Sequence, residues 1–147
     1  MAEQQNYKGQ PKKDVFAQDW KEKFSPVWIT QGANKEMVAY AEEQGRYMAT
    51  ARTEKGESNL TSSQFRNIYG ELKRIQMGGF DSQSSSFYLL RPKVAYSYGR
   101  NKDNLGLKRF KEIFDLAVKS VSDAKTFNNF CMFMEAIIAY HRAYGGK

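Results

Sequence analysis

The chain has 147 residues, enough for one domain, and its 23 Lys and Arg against 16 Asp and Glu give a formal charge of +7. Cys131 is the lone cysteine and His141 the lone histidine, which excludes an intramolecular disulfide, a cysteine-based zinc site and a two-histidine acid–base pair. Met1 to Asp14 is polar, without the apolar core of a secretory signal, and the longest apolar stretch, Phe130 to Tyr140, is about half of the ~20 residues a membrane span needs, so a cytoplasmic protein is expected.

Residues 1–13, with Gly9 and Pro11, read as a disordered tail. Residues 14–24 put Phe16, Trp20 and Phe24 at i, i+4 and i+8, which predicts a short amphipathic helix that Pro26 stops. Trp20 and Trp28 both fall in this N-terminal part, either folded back onto the core or held out to dock a neighbouring subunit. Asn34 is a good N-cap for a helix running to about Ala51, with Met37, Tyr40, Ala41, Tyr47, Met48 and Ala51 on its apolar side and Gly45 weakening it. A loop is expected over 52–60. Thr61-x-x-Gln64 has capping-box spacing and opens a helix striped by Phe65, Ile68, Tyr69, Leu72 and Ile75, which Gly78-Gly79 ends.

Residues 80–86 read as another loop. Residues 87–100 are helical by composition, but Pro92 either kinks that helix or sits in the first turn of a new one, and Gly99 and Asn101 mark the end. The clearest periods come last. Leu107, Phe110, Phe114, Ala117 and Val121 mark one helix over 105–122, and Phe127, Phe130, Met134, Ile137, His141 and Tyr144 mark another over 126–144. No strand pattern is visible. The expected fold class is all-α: a single-domain helical bundle of about five helices over 34–147, preceded by an extension over 1–33.

The charge is uneven. Residues 1–60 hold nine basic and nine acidic groups, whereas residues 66–111 hold ten basic and three acidic ones, a local surplus of +7. A polyanion partner is one reading and a basic solvated surface the other. On the Thr61 helix, Arg66, Gly70, Lys73 and Arg74 fall opposite the apolar stripe, with Asn67 beside them. Arg66 and Lys73 are two turns apart, and Gly70 between them leaves room for a phosphate; the alternative is an ordinary solvated face.

Around Pro92 stand Arg91, Lys93, Tyr96 and Arg100. Lys93 and Arg100 are again two turns apart with Tyr96 between them, so cations meet phosphates while the ring meets a base or sugar. In the alternative, Tyr96 is core and the cations snorkel over it. Lys108, Arg109 and Lys111 open the next helix, where they oppose its macrodipole. His141 occupies a stripe position, which favours a structural, hydrogen-bonded histidine over a ribonuclease acid–base group. Glu135 lies off the stripe, to pair with a base on another helix or be solvated, and Cys131 reads as a buried, inert thiol. There is no Gly-rich phosphate loop, no carboxylate pair at metal spacing and no nucleophile motif, so no catalytic residue, metal or cofactor is assigned.

Three segments, Leu60-Thr-Ser-Ser-Gln-Phe-Arg66, Leu90-Arg-Pro-Lys-Val-Ala-Tyr96 with Arg100 four residues on, and Phe133-Met-Glu-Ala-Ile-Ile-Ala-Tyr-His-Arg-Ala-Tyr-Gly-Gly146, occur in this order. Together they make the chain resemble the small subunit of the type III-A CRISPR effector, the Csm complex, over about residues 34–146. The resemblance implies a non-enzymatic helical subunit of an antiviral ribonucleoprotein, with several copies in a line. It implies contact with guide RNA and target RNA, with the backbone and large subunits, and with no membrane. Cleavage chemistry would belong to the other subunits.

Arg66, Lys93, Tyr96, Arg100 and Arg142 lie inside the matching segments. Arg91 falls within the second segment and belongs to the site around Pro92, while Lys73 and Arg74 are included from helix geometry. These eight form the expected RNA-binding set, neutralising phosphates without reading bases, because such a subunit must accept any guide. The residues alone leave a second reading open, a stand-alone basic helical module for single-stranded nucleic acid.

Overall fold

Most of the long helices begin where a side chain can accept from backbone amides that the first turn leaves unpaired. The computed structural model describes residues 19–147. Two one-turn helices, α1 (Trp20–Lys23) and α2 (Val27–Thr30), precede α3 (Lys35–Thr50), α4 (Ser62–Gly78), α5 (Phe80–Gly99), α6 (Leu105–Val118) and α7 (Ala124–Ala143). Asn34 Oδ1 accepts from the Met37 N–H at 2.8 Å, Asn104 Oδ1 from Leu107 at 2.7 Å, and Asp123 Oδ1 from Thr126 at 2.9 Å. Thr61 and Gln64 form the expected capping box, with the Thr61 N–H donating to Gln64 Oε1 at 2.8 Å. The all-α, single-domain expectation with five long helices is met. One small addition lies in the stretch expected as a loop, an antiparallel hairpin of β1 (Arg52–Thr53) and β2 (Gly56–Glu57).

α7 is the core element, packed on α3 and α2, while α4 packs on α5, and α6 on α3 and α5. Phe87, Phe114, Phe127, Phe130 and Phe133 are fully buried where these helices meet, many of their rings edge to face. Gly45 is more than a weak point in α3. A Cβ there would lie 2.7 Å from the Ile137 carbonyl oxygen, so the glycine sets how closely α3 crosses α7. Trp20 and Trp28 are buried, which matches folding back rather than exposure. Trp28 sits 5.0 Å from the Tyr40 ring and 6.0 Å from Phe133, and the Tyr40 hydroxyl donates to the Trp20 carbonyl at 2.9 Å. The expected tail over 1–13 and the start of the first helix, including Phe16, lie outside the described residues.

Three expectations are corrected. Residues 80–86 are helical, not a loop. Phe80 is buried, stacked on Phe127 at 5.1 Å and edge-on to Phe87 at 5.7 Å, so packing overrides the low helix propensity of the serines. Pro92 lies inside α5 without breaking it; the non-helical residue is Gln83 (φ −114°, ψ 16°), one turn after Gly79, whose φ of +92° turns the chain from α4 into α5. Tyr144 is not core: it is 37% exposed and donates to Glu42 at 2.6 Å. Among the described residues no helix is long and apolar enough to cross a membrane.

Candidate nucleic-acid interface

The surface residues of α4 line two grooves. One, of about 720 Å³, lies between α4 and α5 and is lined by Asn67 and Glu71 on one side and Lys93, Tyr96 and Arg100 on the other. The second, of about 450 Å³, lies between α4 and α7 and includes Arg66, Tyr69, Glu135 and Arg142. The capping box fixes where α4 starts, and therefore which way Arg66 and Asn67 point, one residue to each groove.

The eight expected residues fall into different states. Among the described residues, Arg66, Lys93, Arg100 and Arg142 are exposed and make no ion pair. Tyr96 is 67% exposed, which removes the core alternative, and the Arg100 guanidinium lies 5.8 Å from its ring centre. Lys73 instead reaches Glu135 on α7 at 2.6 Å, and that hydrogen bond raises its pKa. Glu135 thus has the partner on another helix that its off-stripe position allowed. Arg74 pairs with Glu71 on its own helix.

Arg91 leaves the Pro92 cluster altogether. Its Nε is 2.9 Å from Asp115 Oδ1, and Lys111 holds the other oxygen of the same carboxylate at 2.8 Å. Residues 91 and 93 are ~200° apart around a helix, so Arg91 faces α6 while Lys93 faces α4. Gly70 is exposed, and a Cβ there would meet nothing within 4 Å among the described residues.

The cluster at the start of α6 is divided: Lys108 is exposed, Lys111 is paired with Asp115, and Arg109 is buried. Arg109 is 5% exposed, donates from Nη1 to Gln44 Oε1 at 2.8 Å, and lies 3.9 Å from the Tyr47 ring centre and 4.7 Å from that of Trp20. Burial pushes its pKa down, opposed by the nearby phenols of Tyr47 and Tyr40. The signal was present in the sequence: Arg109 is one and two turns before the buried Ile113 and Ala117, on the apolar arc.

His141 is buried, its Nε2 2.6 Å from the Leu60 carbonyl oxygen and its ring edge-on to Phe65, which is the structural role expected for it. Among the described residues Nδ1 has no partner, and burial holds the pKa of His141 below the usual histidine value. Cys131 is also buried, and desolvation pushes its thiol up to about 12, which keeps it protonated and unreactive.

Both grooves and every residue lining them lie within one family match. The Csm2 Type III-A family matches residues 32–147. This chain belongs to the Csm2 family. A similar protein from Streptococcus thermophilus, described as "CRISPR system Cms protein Csm2", is 33% identical over 97 residues, covering 63% of this chain and 79% of the relative. No solved structure matches. Membership makes the chain a small structural subunit of the type III-A Csm complex, as its three sequence segments implied.

Proposed function

We propose that this Csm2-family subunit holds the guide RNA–target RNA duplex of the Csm complex by its sugar–phosphate backbone, helping to retain and sense the target without cutting it. The observation that carries the reading is that the two grooves flanking α4 are lined by four exposed cations, Arg66, Lys93, Arg100 and Arg142, that have no acidic partner among the described residues. An exposed cation already paired to a carboxylate gains little by meeting a phosphate, since it must give up one anion for another. An unpaired one releases counterions from the RNA at no such cost. Phosphate and 2′-hydroxyl contacts carry no sequence information, which suits a subunit that serves any guide.

One copy offers ~2–4 phosphate contacts, giving weak and salt-sensitive binding on the counterion-release scale. Several copies in a line on one RNA, contacting the backbone and large subunits, convert weak contacts into avidity. Cytoplasmic residence accords with such a partner.

The test is a salt titration of RNA binding by the wild-type chain and by Arg66→Ala, Lys93→Ala, Arg100→Ala and Arg142→Ala. Each variant is expected to weaken binding by a similar factor on unrelated RNA sequences, and to lower the slope of log affinity against log salt by ~0.7–0.9 per lost contact. Folded variants with wild-type affinity and slope would remove these residues from the interface. Lys73→Ala and Arg74→Ala, whose charges are internally paired, are expected to change the slope less.

A further inference from the structure

We infer that the α4–α5 groove holds one unpaired nucleotide, its base stacked on Tyr96 and its flanking phosphates on Lys93 and Arg100. The inference rests on the RNA-backbone reading above and adds a second form of RNA to it.

Tyr96 is the most exposed aromatic side chain among the described residues. The other two tyrosines with large exposure are each held by a neighbour. Tyr88 lies 5.6 Å from Phe87 and 6.3 Å from Phe80, and Tyr144 donates to Glu42. Among the described residues, the Tyr96 hydroxyl makes no hydrogen bond, and the neighbour recorded at its ring is the Arg100 guanidinium. A large ring left this open is a stacking platform without its second layer.

The groove beneath the ring fits this occupant. Its volume of about 720 Å³ falls in the range of small-molecule sites. Its walls are sorted by chemistry. Asn67 and Glu71 lie on the α4 side, where Glu71 already holds Arg74, while Lys93 in α5 and Arg100 just after its last residue, unpaired among the described residues, lie on the other. A phosphate on the α4 side would face a carboxylate, whereas a base edge there meets an amide and an acceptor. Lys93 and Arg100 are seven residues apart, ~10 Å along the helix, with Tyr96 between them. The ring is therefore placed for a base, and the cations for the chain entering and leaving it.

A base inside a continuous duplex cannot meet the ring face to face, because both its faces are covered by neighbours, so the ligand is an unpaired or extruded nucleotide. The α4–α7 groove lacks such a platform. There Lys73 lies 5.4 Å from the Tyr69 ring centre, and Tyr69 is only partly exposed.

The full chain can be tested by fluorescence anisotropy against three RNAs: a perfect duplex, the same duplex with one bulged adenosine, and the same with a bulged abasic residue. Wild type is expected to bind the adenosine bulge roughly five- to a hundred-fold more tightly than the other two. Tyr96→Leu should abolish that preference, so that the three RNAs are bound alike, and Tyr96→Phe should keep it. Lys93→Ala and Arg100→Ala should weaken binding to all three.

If wild type shows no preference, or Tyr96→Leu keeps it, the stacking site is wrong; weakening by Lys93→Ala and Arg100→Ala would then leave the duplex reading standing. Unchanged binding in those two variants would overturn both. A Tyr96→Leu chain that binds all three RNAs as wild type but is lost from the assembled Csm complex would mark the ring as a protein contact and overturn the inference.

Discussion

Gly45 and Gly70 sit inside long helices and differ only in what surrounds them, so replacing each by alanine separates helix propensity from packing. A Cβ at position 45 would lie 2.7 Å from the Ile137 carbonyl oxygen, 2.7 Å from Tyr140 Cβ and 2.8 Å from the His141 amide nitrogen. Two of these are backbone atoms of α7, so no rotamer change relieves the contact and the helices must separate. Overpacking of this kind costs about 1–3 kcal/mol, while alanine regains about 1 kcal/mol of helix propensity over glycine. Because the obstruction is backbone, the upper part of the range applies, for a net loss of about 1–2 kcal/mol. A Cβ at position 70 meets nothing within 4 Å, so Gly70→Ala keeps only the gain, about 0.5–1 kcal/mol. At ~2–4 °C per kcal/mol for a chain of this size, Tm should fall by about 2–8 °C for Gly45→Ala and rise by about 1–4 °C for Gly70→Ala. Thermal and urea unfolding followed by helical circular dichroism reads both. If Gly45→Ala stabilises the protein as much as Gly70→Ala does, α3 and α7 do not cross as closely as described.

Arg109→Ala should destabilise the chain by about 2–4 kcal/mol, through lost stacking on Tyr47 and Trp20 and a buried cavity, with a shift in tryptophan emission. Arg109→Lys should not restore it, because an ammonium cannot stack as a guanidinium does. Trp28→Ala opens the cluster of Phe24, Tyr40 and Phe133 and should cost about 3–5 kcal/mol by denaturant unfolding. His141 has a folded-state pKa held below its unfolded value, so below the ordinary histidine range the unfolded chain takes up more protons than the folded one. Its contribution is present above pH ~6.5 and lost as pH falls from there towards the folded pKa. Urea midpoints measured between pH 7.5 and 5 should decline more steeply in wild type than in His141→Gln; equal slopes would contradict the assignment.

What could be read from the sequence were features that act locally. Asn34, Thr61 with Gln64, and Gly78-Gly79 mark helix ends through their own backbone chemistry, and α6 and α7 declare their buried faces through unbroken periods. What escaped depends on distant partners. Phe80 draws residues 80–86 into a helix because Phe127 waits for its ring, and α5 shows no single apolar side because Tyr88, Leu89 and Tyr96 are exposed beside buried Phe87 and Leu90.

The interface was legible in the same way. Two-turn spacing placed Lys93, Tyr96 and Arg100 on one wall of a groove. It could not show that Asp115 on α6 holds Arg91 or that Glu135 on α7 holds Lys73, since such pairs exist only once the helices meet. Arg109 is the exception, a cation whose place on the apolar arc of α6 is visible in the sequence, one turn before Ile113.

The central claim is that the unpaired cations of α4, α5 and α7 hold RNA by its backbone. A structure of the assembled Csm complex with guide and target RNA bound tests it most directly. Phosphate or 2′-hydroxyl oxygens are expected within hydrogen-bond distance of the Arg66, Lys93, Arg100 and Arg142 head groups. Those four head groups in solvent or against protein, with RNA on another face of the subunit, would contradict it.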